Sequence, residues 1–137
     1  MGRADWPEHV DWGSGMSAPA VRSPQRGEIW WTHFHSDPPG KNRAAIIVSQ
    51  NGRNNHPRAD SVLAIPLSAS IQKPAPWHLV LRAGETGLRE DSVAWAENIA
   101  TVSKLQLVEP VSGHRSLTHT QVCRLVGLVR VAMGCAE

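Results

Sequence analysis

The sequence predicts a mainly β domain, a small barrel or sandwich that a single C-terminal α-helix closes. Short runs of β-favouring residues recur about every ten residues between positions 28 and 97, a spacing typical of such folds. Loops rich in proline, glycine and polar residues separate these runs. After position 117 the apolar residues instead recur at three- and four-residue steps, as in an amphipathic helix. A chain of 137 residues is long enough for one such domain with a single core.

Five strands are predicted, over residues 28–34, 44–49, 62–67, 77–81 and 92–97. The second is apolar on both faces, which indicates a central strand. Pro66 lies within the third and predicts an edge position or a bulge, because proline has no N–H for a ladder. The segment 51–60 is polar and predicts an exposed connection. A short helix is expected near 103–107.

The C-terminal helix carries a start signal and a stop signal. Thr118 is the expected N-cap and Gln121 its reciprocal partner in a capping box, while Leu117 and Val122 are placed for a hydrophobic staple. The apolar stripe comprises Val122, Leu125, Val126, Val129, Ala132 and Met133. Gly134 predicts the end of the helix.

Residues 1–25 predict a flexible N-terminal extension, and residues 26–137 the folded domain. The first segment mixes glycine, proline, serine and charged residues without a sustained period, so it can bury little surface to offset its ordering entropy. Trp6 and Trp12 are its exceptions and are candidates for packing onto the domain or a partner.

Composition restricts the possible functions. The formal net charge is +2, from 14 Lys and Arg against 12 Asp and Glu, so any nucleic-acid contact must come from a local arrangement of charges.

Cys123 and Cys135 have no redox or metal-site spacing, and we expect free thiols in a reducing cytoplasm. No apolar run approaches the roughly 18 residues of a membrane span. His33 and His35 lack a third ligand at useful spacing, so we expect no metal.

Four segments occur in an order that resembles the MazF/PemK family of toxin endoribonucleases. They are RGEIWWTHF (26–34), GKNRAAIIVSQ (40–50), SVLAIPLSAS (61–70) and AGETGLREDSVAWAENIATVSK (83–104). The resemblance covers about 26–134. It implies an SH3-like small β-barrel with a C-terminal helix, as in the MazF, PemK and CcdB toxins, which agrees with the architecture predicted from the residues.

The resemblance also implies a function. A toxin of a type II toxin–antitoxin system would cleave single-stranded RNA at selected sequences, without metal or cofactor, and leave 2′,3′-cyclic phosphate and 5′-hydroxyl ends. It would act in the cytoplasm as a homodimer with grooves near the subunit interface. A cognate antitoxin would block the groove with an acidic or apolar tail.

The resemblance implies three catalytic residues. Arg43 opens the second strand, and its planar guanidinium suits phosphate through paired, charge-assisted hydrogen bonds. Ser68 ends the third strand and supplies a hydroxyl where the family has threonine. Glu97 lies near the acid proposed as proton acceptor in the PemK/Kid branch. Family members usually have proline at the position of Ala44, and that branch has an arginine at the position of Trp95.

Substrate binding is expected in the loops 36–41 and 69–76, which would border one groove. Cations there would contact phosphates and an aromatic ring would stack on a base, as single-stranded RNA permits. The candidate substrate-binding residues are His35, Lys41, Arg53, Ser70, Lys73 and Trp77. Trp77 has the alternative of a place in the core.

Two other functions stay open at this point. A CcdB-like toxin would bind gyrase instead of cleaving RNA. A catalytically weakened module of the same fold would bind RNA or protein. The departures at Ala44 and Trp95 allow this, as does Ala100, which stands where the family frequently has an arginine. Arg43 and the SxSI segment that starts at Ser68 favour the nuclease, because a gyrase binder does not need that hydroxyl after the third strand.

Overall fold

The computed structural model describes residues 23–70, 73–113 and 115–135. The expected flexible extension over 1–25, with Trp6 and Trp12, falls almost entirely outside the described residues and stays a prediction. The domain boundary at residue 26 stays a prediction with it.

Seven strands and three helices occur within the described residues. The strands are β1 (Ile29–Thr32), β2 (Arg43–Ile47), β3 (Ser61–Ser68), β4 (His78–Leu81), β5 (Ser92–Trp95), β6 (Ala100–Ser103) and β7 (Leu107–Pro110). The helices are α1 (Asn51–Asn54), α2 (Ala83–Thr86) and α3 (His119–Ala132), with 3-10 turns at Ala96–Asn98 and Lys104–Gln106. The predicted class, mainly β with a C-terminal helix, is confirmed.

All strand pairs are antiparallel, in the order β4-β5-β3-β2-β1-β7, and β6 also pairs with β3. The sheet therefore branches at β3, whose first residues pair with β6 and whose last residues pair with β5. β2 lies between β1 and β3 with both faces buried, as its apolar sequence predicted.

The predicted edge position of Pro66 is wrong, because β3 is central. The carbonyl of Leu63 accepts a hydrogen bond from the backbone N–H of Val48 at 2.9 Å on the β2 side. Successive residues of a strand point their backbone groups to opposite sides, so the nitrogen of Pro66, three residues after Leu63, points away from β2. There the β6 pairing stops at Ala64 and the β5 pairing starts at Leu67. Proline therefore sits where β3 has no register partner on that side.

Two apolar clusters form the core on opposite faces of β2. Ile46 belongs to the larger cluster and Ile47 to the smaller, and both are fully buried. Helix α3 adds Val122 and Leu125 to the larger cluster, where the buried Leu117 joins them. Burying a leucine side chain stabilises the fold by about 2 kcal/mol.

The start of α3 has the predicted capping box. The hydroxyl of Thr118 accepts the Gln121 backbone N–H at 3.1 Å, and the Gln121 side-chain carbonyl accepts the Thr118 N–H at 2.8 Å. Leu117 just before the cap donates its backbone N–H to the carbonyl of Gly27 at 2.9 Å. Gly27 has φ +93°, and a Cβ there would lie 2.5 Å from the Leu117 carbonyl oxygen. Gly134, at φ +84°, follows the helix end as predicted.

The segment 51–60 is not simply an exposed connection. It begins with α1, and Asn54 is fully buried. The Asn54 amide donates to the carbonyl of Ser49 at 2.9 Å and accepts from the Ser49 hydroxyl, which in turn accepts the Leu63 N–H at 3.0 Å. This buried polar network fixes the connection to β3.

Other global features can be stated for the described residues. Cys123 and Cys135 are exposed free thiols, as expected. No helix in 23–70, 73–113 and 115–135 is both long and apolar enough to cross a membrane. In the same part of the chain, no group of three or more His, Cys, Asp and Glu side chains is arranged to hold a metal ion.

Candidate active site

Arg43 and Ser68 lie at the same end of the sheet. Arg43 is the first residue of β2 and Ser68 the last of β3. The register pairs Ala45 with Pro66, and continuing it by two residues places Arg43 opposite Ser68 on the same face. Both residues line one cavity of about 580 Å³. The structure thus brings together the first two predicted catalytic residues.

The guanidinium of Arg43 is held by a carboxylate that the sequence analysis did not single out. Nε donates to Oδ2 of Asp37 at 2.7 Å, and Nη2 donates to Oδ1 at 3.2 Å. The side chains of Arg43 and Asp37 are 24% and 10% exposed. The Arg43 Cζ also lies 5.9 Å from the ring centroid of Trp95, within cation–π range.

This pairing leaves part of the guanidinium available. The hydrogen bond from Arg43 is the main cause that lowers the pKa of Asp37 below its usual value, and the charges of Lys41 and His33 add to the shift. Asp37 is therefore ionised at neutral pH and occupies Nε and Nη2. Among the described residues no acceptor meets Nη1 of Arg43, which stays able to donate to an anion.

The hydroxyl of Ser68 is oriented by the backbone. Its oxygen accepts the N–H of Ser70 at 3.1 Å. A serine hydroxyl has one proton to donate and two acceptor sites, so this contact uses an acceptor site and leaves the proton for a ligand.

Glu97 is paired with a histidine to which the sequence analysis gave no role. Glu97 lies in the 3-10 turn after β5, and its Oε2 is 3.0 Å from Nε2 of His78. His78 begins β4, directly opposite Trp95 in the β4–β5 register. Its other ring nitrogen, Nδ1, accepts the backbone N–H of Ala75 at 3.0 Å. The ring centroids of His78 and Trp95 are 6.3 Å apart at 31°.

Trp95 connects the two halves of the site. It lies between Arg43 and the His78–Glu97 pair, and it occupies the place where the resemblance implies an arginine. A cavity of about 400 Å³, here called the groove, is lined by His35 to Asp37, Arg43, Trp95 and Glu97. Further lining residues are Phe34, Pro66, Asn98, Ile99, Ala100 and Thr101.

Four of the six predicted substrate-binding residues adjoin this site. His35 lines the groove itself. Lys41 lines the cavity that Arg43 and Ser68 share. Ser70 and Lys73 line a third cavity of about 340 Å³, whose walls also include His78 and Trp95.

The other two candidates lie differently. Trp77 is partly buried and lines none of the three cavities, and its ring lies edge-on to His78 at a centroid distance of 6.3 Å. Arg53 lies at the end of β3 opposite to Ser68, because its Nη1 donates at 2.7 Å to the carbonyl of Ser61, the first residue of that strand. The strand length separates that end from Ser68 by roughly 20 Å. Arg53 lines none of the three cavities, and its guanidinium is bound to the start of β3 instead, so the structure does not support the expected contact of Arg53 with this site.

Residues 25–129 match the family described as PemK-like, MazF-like toxin of type II toxin–antitoxin system. Over 93 residues the chain is 28% identical to Endoribonuclease MazF9 of Mycobacterium tuberculosis, covering 64% of this chain and 79% of that relative.

Solved structures support the same fold. An endoribonuclease in complex with its cognate antitoxin, from a mycobacterial species, superimposes with a TM-score of 0.63 at 22% identity, over 81% of this chain and 95% of that chain. The MazE–MazF complex (Form-III) of Deinococcus radiodurans gives a TM-score of 0.65 at 17% identity, over 82% and 98%. The M. tuberculosis toxin MazF-mt6 gives 0.63 at 17% identity, over 78% and 96%.

Proposed function

We propose that this chain, which belongs to the PemK-like, MazF-like family of type II toxin–antitoxin toxins, is a metal-independent endoribonuclease that cleaves single-stranded RNA at selected sequences. The matched M. tuberculosis relative is named an endoribonuclease. The observation that carries the proposal is the placement of Arg43 and Ser68 at one rim of the sheet, with donors of both side chains still available.

RNA carries its own nucleophile in the 2′-hydroxyl beside each phosphodiester. A protein that cleaves it without metal must align the 2′-oxygen with the leaving 5′-oxygen, move two protons and stabilise the charge on the phosphorane. Nη1 of Arg43 and the hydroxyl of Ser68 are donors for the non-bridging oxygens. Asp37 and Trp95 hold the guanidinium in place, which lowers the cost of ordering it when RNA binds.

Proton transfer is assigned to two residues that line the groove, Glu97 and His35. Glu97 takes the proton of the 2′-hydroxyl, the 2′-oxygen forms a bond to phosphorus, and the P–O5′ bond breaks. His35, which also lines the groove, returns a proton to the 5′-oxygen. The products are a 2′,3′-cyclic phosphate and a 5′-hydroxyl. Lys41, Ser70 and Lys73 bind flanking nucleotides in the two adjoining cavities.

The partners proposed here are single-stranded RNA and a cognate antitoxin. Related structures contain a toxin with its antitoxin, and a tail that carries carboxylates or apolar side chains would fit a groove lined by Arg43 and Trp95. We also propose a cytoplasmic homodimer, with residues 26–137 as the toxin domain and residues 1–25 as an extension.

Cleavage of labelled single-stranded RNA in EDTA tests the proposal. The wild-type chain should give discrete products, and Arg43→Ala should lose about 10²–10³-fold in rate, as for removal of one oxyanion donor. Arg82→Ala is the matched control, since Arg82 is an exposed arginine whose nearest carboxylate oxygen, on Asp91, is 4.0 Å away. A chain that arrests growth but cleaves no RNA would contradict the proposal and favour a gyrase-binding toxin.

A further inference from the structure

We infer that His78 is a positioning residue that acts through Glu97, as a neutral imidazole with its proton on Nε2. The inference rests on the proposed function, because it concerns the residue assigned as proton acceptor for RNA cleavage. It adds to the site a residue from β4, a strand that otherwise supplies none of the proposed catalytic groups.

The hydrogen bonds fix the tautomer. A backbone N–H can only donate, so the Nδ1 of His78 that faces the N–H of Ala75 at 3.0 Å must present a lone pair. In the neutral ring the proton is then on Nε2. That nitrogen is 3.0 Å from Oε2 of Glu97 and donates to it. Ala75 belongs to the 69–76 loop, so His78 connects this loop to the carboxylate.

The ring has little freedom to turn. Its side chain is 15% exposed, against 35% for Glu97. Trp95 faces it at 31° and Trp77 meets it edge-on at 79°, each with a centroid distance of 6.3 Å. The nearby charged groups are Glu97, Lys73 on the neighbouring cavity wall, and Arg43 across Trp95.

Glu97 depends on this donor for its orientation. Among the described residues, His78 supplies the one hydrogen bond to the Glu97 carboxylate. Oε2 is occupied by it, which leaves Oε1 to take the proton of a bound 2′-hydroxyl. Without His78 a glutamate on an exposed turn would sample several rotamers. The expected effect is therefore on the chemical step and not on RNA binding.

A double-mutant cycle separates this role from a merely structural ion pair. The variants are His78→Leu, His78→Gln, Glu97→Gln and the double variant His78→Leu/Glu97→Gln. A fluorogenic single-stranded oligonucleotide, selected from the fragments that the wild type cleaves, reports kcat and KM in EDTA. Thermal unfolding of each variant identifies those that are not folded at the assay temperature.

We expect His78→Leu to lower kcat about tenfold with KM within about twofold, since only the transition state uses the oriented carboxylate. His78→Gln, which can donate from its amide, should recover kcat to within about threefold of wild type. In the Glu97→Gln background, His78→Leu should change kcat less than about twofold. An equal loss in both backgrounds, an effect confined to KM, or an unchanged kcat would overturn the inference.

Nitrogen NMR of the folded wild-type chain gives a second readout that needs no variant. We expect the His78 ring to be protonated on Nε2 and not on Nδ1 at neutral pH; the opposite tautomer would overturn the inference. Failure of the proposed function would give a different result: the wild type would cleave no RNA in EDTA, which would contradict both the proposed function and this inference. Cleavage that depends on Arg43 and Glu97 but not on His78 would remove this inference alone.

Discussion

Replacing Asp37 by asparagine removes the negative charge beside Arg43 with almost no change in side-chain size. The carboxylate accepts Nε at 2.7 Å and Nη2 at 3.2 Å. Asparagine has one carbonyl oxygen, and its amide nitrogen would face a donor. Charged hydrogen bonds contribute about 1.5–3 kcal/mol, but Arg43 is 24% exposed and solvent screens the pair. We therefore expect Asp37→Asn to lower the free energy of unfolding by about 1 kcal/mol.

The pH dependence of this loss has a definite sign. Arg43 lowers the folded-state pKa of Asp37 below 3.8, so the pair stabilises the fold fully above about pH 4 and loses its contribution as pH falls through the folded-state pKa. The difference between wild type and Asp37→Asn should be constant from about pH 5 to 7 and shrink below about pH 4.

Thermal and urea unfolding measure both effects. A loss of about 1 kcal/mol corresponds to a Tm lower by about 3–5 °C for a domain of this size. Asp91→Asn is the control, because it removes the same charge from a pair that is exposed and 4.0 Å long; we expect a loss under about 0.5 kcal/mol. An unchanged Tm for Asp37→Asn at pH 7, or a difference that grows as pH falls, would refute the reasoning.

Three further substitutions test other parts of the structure. Ser68→Ala should lower kcat for RNA about 10²-fold with an unchanged Tm, and a normal kcat would remove this hydroxyl from the mechanism. Thr118→Ala should cost about 1 kcal/mol in urea unfolding through loss of the N-cap; an unchanged midpoint would contradict the capping assignment. Gly27→Ala should lower the free energy of unfolding by at least about 1–2 kcal/mol, because Gly27 has a positive φ and a Cβ there would lie 2.5 Å from the Leu117 carbonyl oxygen. Equal stability would show that the backbone relaxes there.

Local sequence signals predicted the parts of the fold that depend on local contacts. The capping box at Thr118 and Gln121 joins residues three apart, so the sequence alone specifies both partners. The central position of β2 was also predicted from local sequence, because a strand buried on both faces needs apolar residues at successive positions. The first strand, β1, was predicted longer than the Ile29–Thr32 observed.

Elements that depend on distant pairing were missed. β6 and β7 are four residues each with mostly incomplete burial. The alternation in Ala100–Ser103 is too short to indicate a strand by itself, and Leu107–Pro110 has none. Their strand conformation comes from pairing with β3 and β1. Pro66 gave a wrong edge prediction because its effect depends on where the partner of β3 changes. Asn54 appears polar and exposed in sequence, and only the contact with Ser49 explains its burial.

In the candidate site, too, the residues that were missed are those whose contacts depend on folding of distant parts of the chain. Arg43, Ser68 and Glu97 were predicted from the family resemblance. In the structure Arg43 and Glu97 line the groove together with Trp95, and Ser68 lines a second cavity together with Arg43. Asp37 was missed because the loop between β1 and β2 must fold back before its carboxylate reaches Arg43. His78 and Glu97 are 19 residues apart, and the β4–β5 register brings them together. The register pairs His78 with Trp95, two residues before Glu97, so a search for titratable residues within two positions of a cross-strand partner would have found the pair.

The chemistry of the RNA ends tests the central claim most directly. Mass spectrometry of the fragments made by the wild-type chain in EDTA should show a 2′,3′-cyclic phosphate on every upstream fragment and a 5′-hydroxyl on every downstream one. Fragments with 5′-phosphate and 3′-hydroxyl ends, or cleavage that EDTA abolishes, would show that the groove does not perform the metal-free attack of the 2′-oxygen.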